Sequence, residues 1–372
     1  MKRGLYVTTS ILAIGGLSTP ASSAEWEVRL GGYMEQFIAY ATSDVDGAMD
    51  EDFDGVDTVS DAEIAFLPTI TLDNGLKIGV NIQLEANTNE DQIDESFLFI
   101  NGSFGRILLG SENSAGNLMA FSAPDVGIIG INSGSNTAFI PFSGEAGGVL
   151  TGDDVFRGTL GSTFLENARN NDAQRITYFT PRFAGFQLGV SYARDDQEDD
   201  SSAVNCEGET CDFFDVGANY VNSFGDFNVA ASARWGIASS PLAGGDDPQV
   251  LGFGLNLGYS GFTIGGSWAE QNNAETDDGQ SFDVGISYET GPWAFSATYI
   301  RGSNVDDENF GSGADETLDQ FGIGVNYALA QGVDINVFGS YVDFDEDFDD
   351  AGVPGGNDVD GFIIGTGVGL SF

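Results

Sequence analysis

The chain of 372 residues contains no histidine. That absence excludes Ser-His-Asp triads, Cys-His dyads and imidazole metal sites. Cysteine is nearly absent too, with only Cys206 and Cys211, both in an acidic stretch. In an exported protein a local disulfide closing that stretch is the favoured reading, and a free reactive pair is the alternative. Positive charge is scarce: 12 Lys and Arg stand against 58 Asp and Glu, a formal net charge of -46. Such a balance argues against nucleic acid or other anionic partners and for counter-cations. Carboxylates alone can support glycoside chemistry, but no pair stands out among the 58. Beyond the N-terminal segment no stretch approaches ~18 consecutive apolar residues, so a transmembrane helix is excluded and any membrane crossing must be made by strands of a closed barrel. Disorder is not the reading of this acidity, because aromatics make up 12% and glycines number 53.

What is present begins with a targeting segment. Lys2 and Arg3 precede a mostly apolar run from Leu5 to Leu17, and Ser22-Ser23-Ala24 supplies small residues for cleavage. Residues 1–24 are therefore expected to be a signal peptide and residues 25–372 the exported protein. There a period of two dominates. Trp26, Val28, Leu30, Met34, Ile38 and Tyr40 alternate with Glu27, Arg29, Tyr33 and Glu35. The pattern predicts about sixteen strands, with tight turns such as Asp73-Asn74-Gly75 and Ser260-Gly261 alternating with long acidic loops, among them 44–57, 194–211 and 343–358. The apolar face carries aromatics near strand ends, including Tyr192, Tyr220, Trp235, Tyr259, Trp268, Tyr288, Trp293 and Tyr299. These suit the two interfaces of a bilayer, whereas the opposite face of Gly, Ser, Asn, Thr and Gln suits water. The expected fold is all-β, a transmembrane antiparallel β-barrel in the bacterial outer membrane; an exported sandwich or propeller is the soluble alternative.

Residues 111–173 break the rhythm. They hold neither period yet carry apolar clusters such as Phe139-Ile140-Pro141-Phe142. A segment of this length needs a role. It is expected to fold into the lumen and narrow it; a surface Ω-loop is the alternative.

At Phe104-Gly105-Arg106-Ile107-Leu108-Leu109-Gly110, and again at Tyr178-Phe179-Thr180-Pro181, Ala184-Gly185-Phe186 and Val190-Ser191-Tyr192, the chain resembles the general diffusion porins of Gram-negative bacteria. Its last strand, ending Leu370-Ser371-Phe372, is similar to theirs. The resemblance implies a 16-stranded barrel, a homotrimer, a third extracellular loop folded inward, and passive, largely non-specific diffusion of small hydrophilic solutes. It also implies a field across the constriction, between loop acids and a basic wall. Ser111 stands where many such porins carry Arg.

Strand parity turns Arg29, Lys77, Arg106, Arg175 and Arg234 inward, five of the ten basic residues left once Lys2 and Arg3 are removed. The loop offers Glu112, Asp125, Glu145, Asp153, Asp154 and Glu166. Asp153 and Asp154 are expected to face Arg175 and Arg29, with Arg157 and Arg169 anchoring the loop, which makes a weak cation preference the expectation. Asp50, Asp52, Asp54 and, at the twelfth position, Asp61 have calcium-loop spacing. No cofactor is required, but structural Ca²⁺ or Mg²⁺ at acidic loops, and lipopolysaccharide held through divalent cations, are expected partners. A calcium-binding adhesin or structural barrel with a plugged lumen is the second reading.

Overall fold

The alternation becomes sixteen antiparallel strands that close on themselves in a computed structural model. The structure describes residues 25–46, 51–86, 92–127, 129–133, 139–140, 158–166, 170–198, 204, 206–240, 247–272, 278–305, 315–347 and 358–372. The expected signal peptide lies outside them. The strands are β1 Trp26–Asp46, β2 Glu51–Thr71, β3 Lys77–Ala86, β4 Ile93–Gly102, β5 Gly105–Ser111, β6 Gln174–Phe179, β7 Phe186–Ala193 and β8 Cys211–Phe224. They continue as β9 Phe227–Ser239, β10 Gln249–Tyr259, β11 Phe262–Asn272, β12 Asp278–Thr290, β13 Trp293–Val305, β14 Asp315–Ala330, β15 Val333–Asp347 and β16 Asp358–Ser371. Each pairs with its sequence neighbours, and β1 pairs with β16 from Tyr33↔Ser371 to Asp46↔Asp358, so no edge is left. Closure leaves no strand without a neighbour on either side, the condition for crossing lipid with strands.

Local chemistry explains the wall. In β7, Phe186, Leu188, Val190 and Tyr192 face outward while Gly189 and Ser191 are buried. At the β2–β3 turn Gly75 takes φ +83°, where a side chain would be strained, and Leu76 N–H donates to Asn74 Oδ1 at 3.1 Å. Cys206 and Cys211 are joined in a disulfide with Cα atoms 5.9 Å apart.

Two expectations change. The acidic stretch 44–57 is not simply a loop: β1 and β2 run 21 residues each, pairing as far as Val45↔Glu51. Crossing a bilayer takes only about 9–11 residues, so this hairpin projects beyond the apolar belt and carries its acids there. Nor is the inner face uniformly polar. Phe37, Phe338, Val342, Phe344 and Ile363 are buried on the inward side of β1, β15 and β16. They pack with Ile129, Phe139, Ile140 and Leu160 of the long segment between β5 and β6. Burying each such side chain contributes about 1.5–3 kcal/mol, so these inward apolar residues form a seat for the segment.

Candidate functional site

The seat is built from glycines as well. A Cβ at Gly254 would lie 2.0 Å from Phe121 O, one at Gly302 2.1 Å from the carbonyls of Thr159 and Leu160, and one at Gly324 2.3 Å from Val126 O. Only a bare backbone admits this approach.

Two buried carboxylates then pin the segment to the wall. Ser114 caps the short helix α1 (Ala115–Met119), accepting from Asn117 N–H at 3.3 Å. The preceding amides find wall and loop acceptors: Ser114 N–H donates to Glu166 at 2.8 Å, Ala115 N–H to Ser191 Oγ at 3.0 Å, and Gly116 N–H to Asp215. Arg234 from β9 joins them, donating to Asp215 at 2.9 Å, Ser114 Oγ at 3.2 Å, Glu166 at 3.4 Å and the Leu165 carbonyl. All three charged side chains are less than a tenth exposed. Further round the wall, Asp283 of β12 accepts from Ala123 N–H at 2.9 Å, Asn132 Nδ2 at 2.8 Å, Thr163 Oγ1 at 3.0 Å, Ser267 N–H at 2.6 Å and Ser267 Oγ at 2.7 Å. Five donors replace the water that this buried carboxylate loses. They come from residues 123, 132 and 163 of the segment and from β11, so one side chain ties both limbs to the wall.

Opposite these pins lies a cavity of about 520 Å³. Its wall side is Tyr33 of β1, Asp61 and Glu63 of β2, Glu85 of β3 and Asp94 of β4; its other side includes Asn117, Phe164, Glu166 and Asp172. Tyr33 OH lies 2.9 Å from Glu63 and 3.1 Å from Asp61. Six carboxylates and no Lys or Arg line this space among the described residues. The titratable groups that face this cavity are thus all acidic or phenolic among the described residues.

The expected basic wall is distributed differently. Arg29 pairs with its own strand neighbour Glu27 at 2.9 Å. Arg106 sits over the Phe99 ring at 5.6 Å, and Lys77 opens β3. Arg175 is buried, donating to the Ala173 carbonyl at 3.2 Å and to that of Asn170. With Arg234 in its ion pair, none of the five lines the acidic cavity. Arg175 therefore secures the base of the segment. Glu166 reaches both the cavity and the Arg234 pin. Asp125 sits in the segment within 3.4 Å of Ser296 Oγ, and burial pushes its carboxyl up to about 7 against the hydrogen bonds from Ile131, Ser296 and Val126 that favour its charge. Glu145, Asp153, Asp154, Arg157 and Arg169 lie outside the described residues.

The expected calcium loop is corrected. Asp54 and Asp61 sit on strand β2, on opposite faces and seven residues apart, hence roughly 23 Å; one ion cannot reach both. Asp50 and the side chain of Asp52 lie outside the described residues. Among those described, carboxylate oxygens of Glu95, Glu112 and Asp172 lie within 4.8 Å of one another, the spacing that suits a cation. Glu63, Asp94, Asp215 and Asp283 escaped the sequence reading. For Glu63 the signal was there, since it shares the inward parity of Asp61 and of Tyr33's partners in β1–β2 register. Asp215 and Asp283 become important only through what the segment brings to them.

A family model of Gram-negative porins matches residues 8–347. The chain belongs to the Gram-negative porin family. An outer membrane porin protein of Bordetella pertussis is 28% identical over 201 residues, covering 45% of this chain and 51% of that one. The chain spans about half the length of the curated relatives it matches. The anion-selective porin of Comamonas acidovorans shares the fold with a TM-score of 0.58 at 17% identity, over 94% of this chain and all of that one. OmpT of Vibrio cholerae, in its trimer form, does so with a TM-score of 0.56 at 12% identity, over 93% and 99%. At such identities the likeness is one of fold.

Proposed function

We propose that this porin is an outer-membrane channel for passive diffusion of small hydrophilic solutes, with a preference for cations. The observation that carries the reading is the acidic passage between the pinned segment and β1–β4, with six carboxylates and no basic side chain in its described lining. The segment narrows the lumen, and the field at its narrowest part selects. An anion-selective porin of the same fold shows no conflict, because selectivity follows the lining and not the barrel. The reversal potential of the purified protein in a planar bilayer under a KCl gradient tests this. A cation-selective channel is the expected result; an anion-selective or silent barrel overturns it.

The assembly is a homotrimer, as in the OmpT form named above and as porin membership suggests. Outside the barrel, Asp319, Asp343, Asp360 and Asp44 follow one another across β14, β15, β16 and β1 in direct register. Like charges directly opposite repel, and Ca²⁺ or Mg²⁺ shared with lipopolysaccharide phosphates relieves this. A chelator should lower thermal stability in lipopolysaccharide-containing membranes. Unchanged melting with and without chelator removes the divalent bridge.

A further inference from the structure

Charge inside the barrel is sorted by height. Tight turns gather at one end of the strands and longer connections at the other, the periplasmic and outer ends of an outer-membrane barrel. The acidic cavity leans toward the loop end, where Glu85 lies at the close of β3 and Asp94 at the start of β4.

The turn end of the same arc is cationic. Lys77 opens β3 and follows the Asp73-Asn74-Gly75 turn, while Arg106 stands at the start of β5. Asn101 of β4 lies between them, in direct register with both. The two backbones are therefore about 10 Å apart across one intervening strand. Both cations face inward, since Gly79 and Leu108, two places on, are buried on the inner side. Arg106 lies over the ring of Phe99, itself packed with Met119 of α1. Neither cation has an ion-pair partner among the described residues. Glu27 of β1 is held by Arg29. Arg182, in the β6–β7 turn, adds a third positive charge and meets only neutral acceptors: the Gly185 carbonyl at 2.7 Å, and Gln187 and Asn219 at 2.8 Å. The inward acids of this end, Glu289 and Asp334, belong to β12 and β15, across the barrel. From Lys77 to Glu85 the chain covers about 26 Å of strand.

We infer that Lys77 and Arg106 place a positive zone in series with the acidic cavity along the lumen, and that this order makes the channel rectify ionic current. The inference rests on the diffusion-channel reading and adds a direction to it. Cations carry the current where the wall is negative, and anions where it is positive, because low-dielectric walls focus each field locally. A loop end held positive drives cations from the cavity toward the basic zone and anions the opposite way. Both then accumulate where the zones meet, and current rises. The reverse voltage empties that junction of both ions. Screening sets the salt range: the Debye length is about 10 Å at 0.1 M and ~3 Å at 1 M.

The test records single channels of the full-length porin in planar bilayers at equal and opposite voltages. Orientation is marked by a biotinylated Phe183→Cys variant, labelled at an exposed position in the β6–β7 turn, with streptavidin added to one chamber. In 0.1 M KCl the current should be about twofold larger with the loop end positive, and nearly symmetric in 1 M KCl. Lys77→Gln with Arg106→Gln should abolish the asymmetry and strengthen the cation preference, in a barrel shown folded by its heat-shifted gel mobility. Should the pair not fold, Lys77→Gln alone should reduce the asymmetry. Symmetric wild-type current in 0.1 M KCl, or a larger current at the opposite polarity, overturns the inference while a cation-selective reversal potential leaves the channel reading standing. Asymmetry unchanged in a folded variant overturns Lys77 and Arg106 as its source. A silent or anion-selective wild type overturns both readings.

Discussion

Arg234 bears more on the barrel interior than its single charge suggests. Its guanidinium meets Asp215 from the wall, Glu166 from the segment and the cap residue Ser114. Removing one partner of a buried ion pair leaves the others uncompensated and costs about 3–5 kcal/mol. Arg234→Ala should therefore lower the urea midpoint in detergent and add open-channel noise in bilayers. Adding Asp215→Ala should recover part of the loss, because the stranded carboxylate is gone. Wild-type midpoint and noise in the single variant would remove Arg234 as a pin. Asp125 gives a pH signature of opposite origin. Burial raises its carboxyl from the ordinary 3.8 to about 7. The folded protein then holds that proton more tightly than the unfolded chain. Its contribution is fully present below about pH 4 and is lost as pH rises through 7. In Asp125→Asn this component of the stability slope between those values should vanish; a slope identical to wild type would contradict the assignment.

At the scale of the element, the segment between β5 and β6 is held by wall residues chosen for what they leave out. Gly254 and Gly302 admit the backbone of Phe121 and of Thr159-Leu160 to distances that no Cβ tolerates. Valine at either position should push the segment off its seat without touching the strand pairing of the wall. Single-channel conductance should rise while the gel mobility of the folded barrel is retained. Gly55 on β2 is the control, since nothing lies within 4 Å of a Cβ placed there. Equal conductance in Gly254→Val and Gly55→Val would mean that the segment does not limit the passage.

Across the whole molecule, the proposed selectivity does not follow from net charge. The formal charge of -46 is spread over strands, projecting hairpins and loops, and at physiological salt exposed charges beyond about 8 Å are screened. On the proposed reading, permeant ions respond instead to Asp61, Glu63 and Asp94 in the lining of the acidic cavity. Asp61→Asn, Glu63→Gln and Asp94→Asn together should move the reversal potential toward zero, with the barrel still folded. High salt should shrink the wild-type preference in the same direction, as the screening length falls to ~3 Å at 1 M. A triple variant as selective as the wild type would place the selecting charges elsewhere.

The barrel itself was legible in the residues. Period-two alternation, with aromatics at the ends of apolar faces, depends on each residue and its neighbours two places away. Closed antiparallel pairing follows because a wall in lipid cannot leave backbone groups unpaired. Tight turns such as Asp73-Asn74-Gly75 were equally local, since the positive φ of Gly75 is a property of that residue. Parity also turned Arg234 and Arg175 inward. It could not say what they would meet, because their partners Glu166 and Asn170 come from a segment with no period to read. For the same reason Phe37 and Phe338, inward in a wall expected to be polar, made sense only once Phe139 and Ile140 lay against them. The position of a long irregular segment is set by contacts with residues far away in the chain, and Gly116 reaching Asp215, 99 places on, or Ala123 reaching Asp283, 160 places on, leaves no trace in local pattern. Strand chemistry determined the barrel; the sign and place of its inner charge were decided only when that segment took its seat.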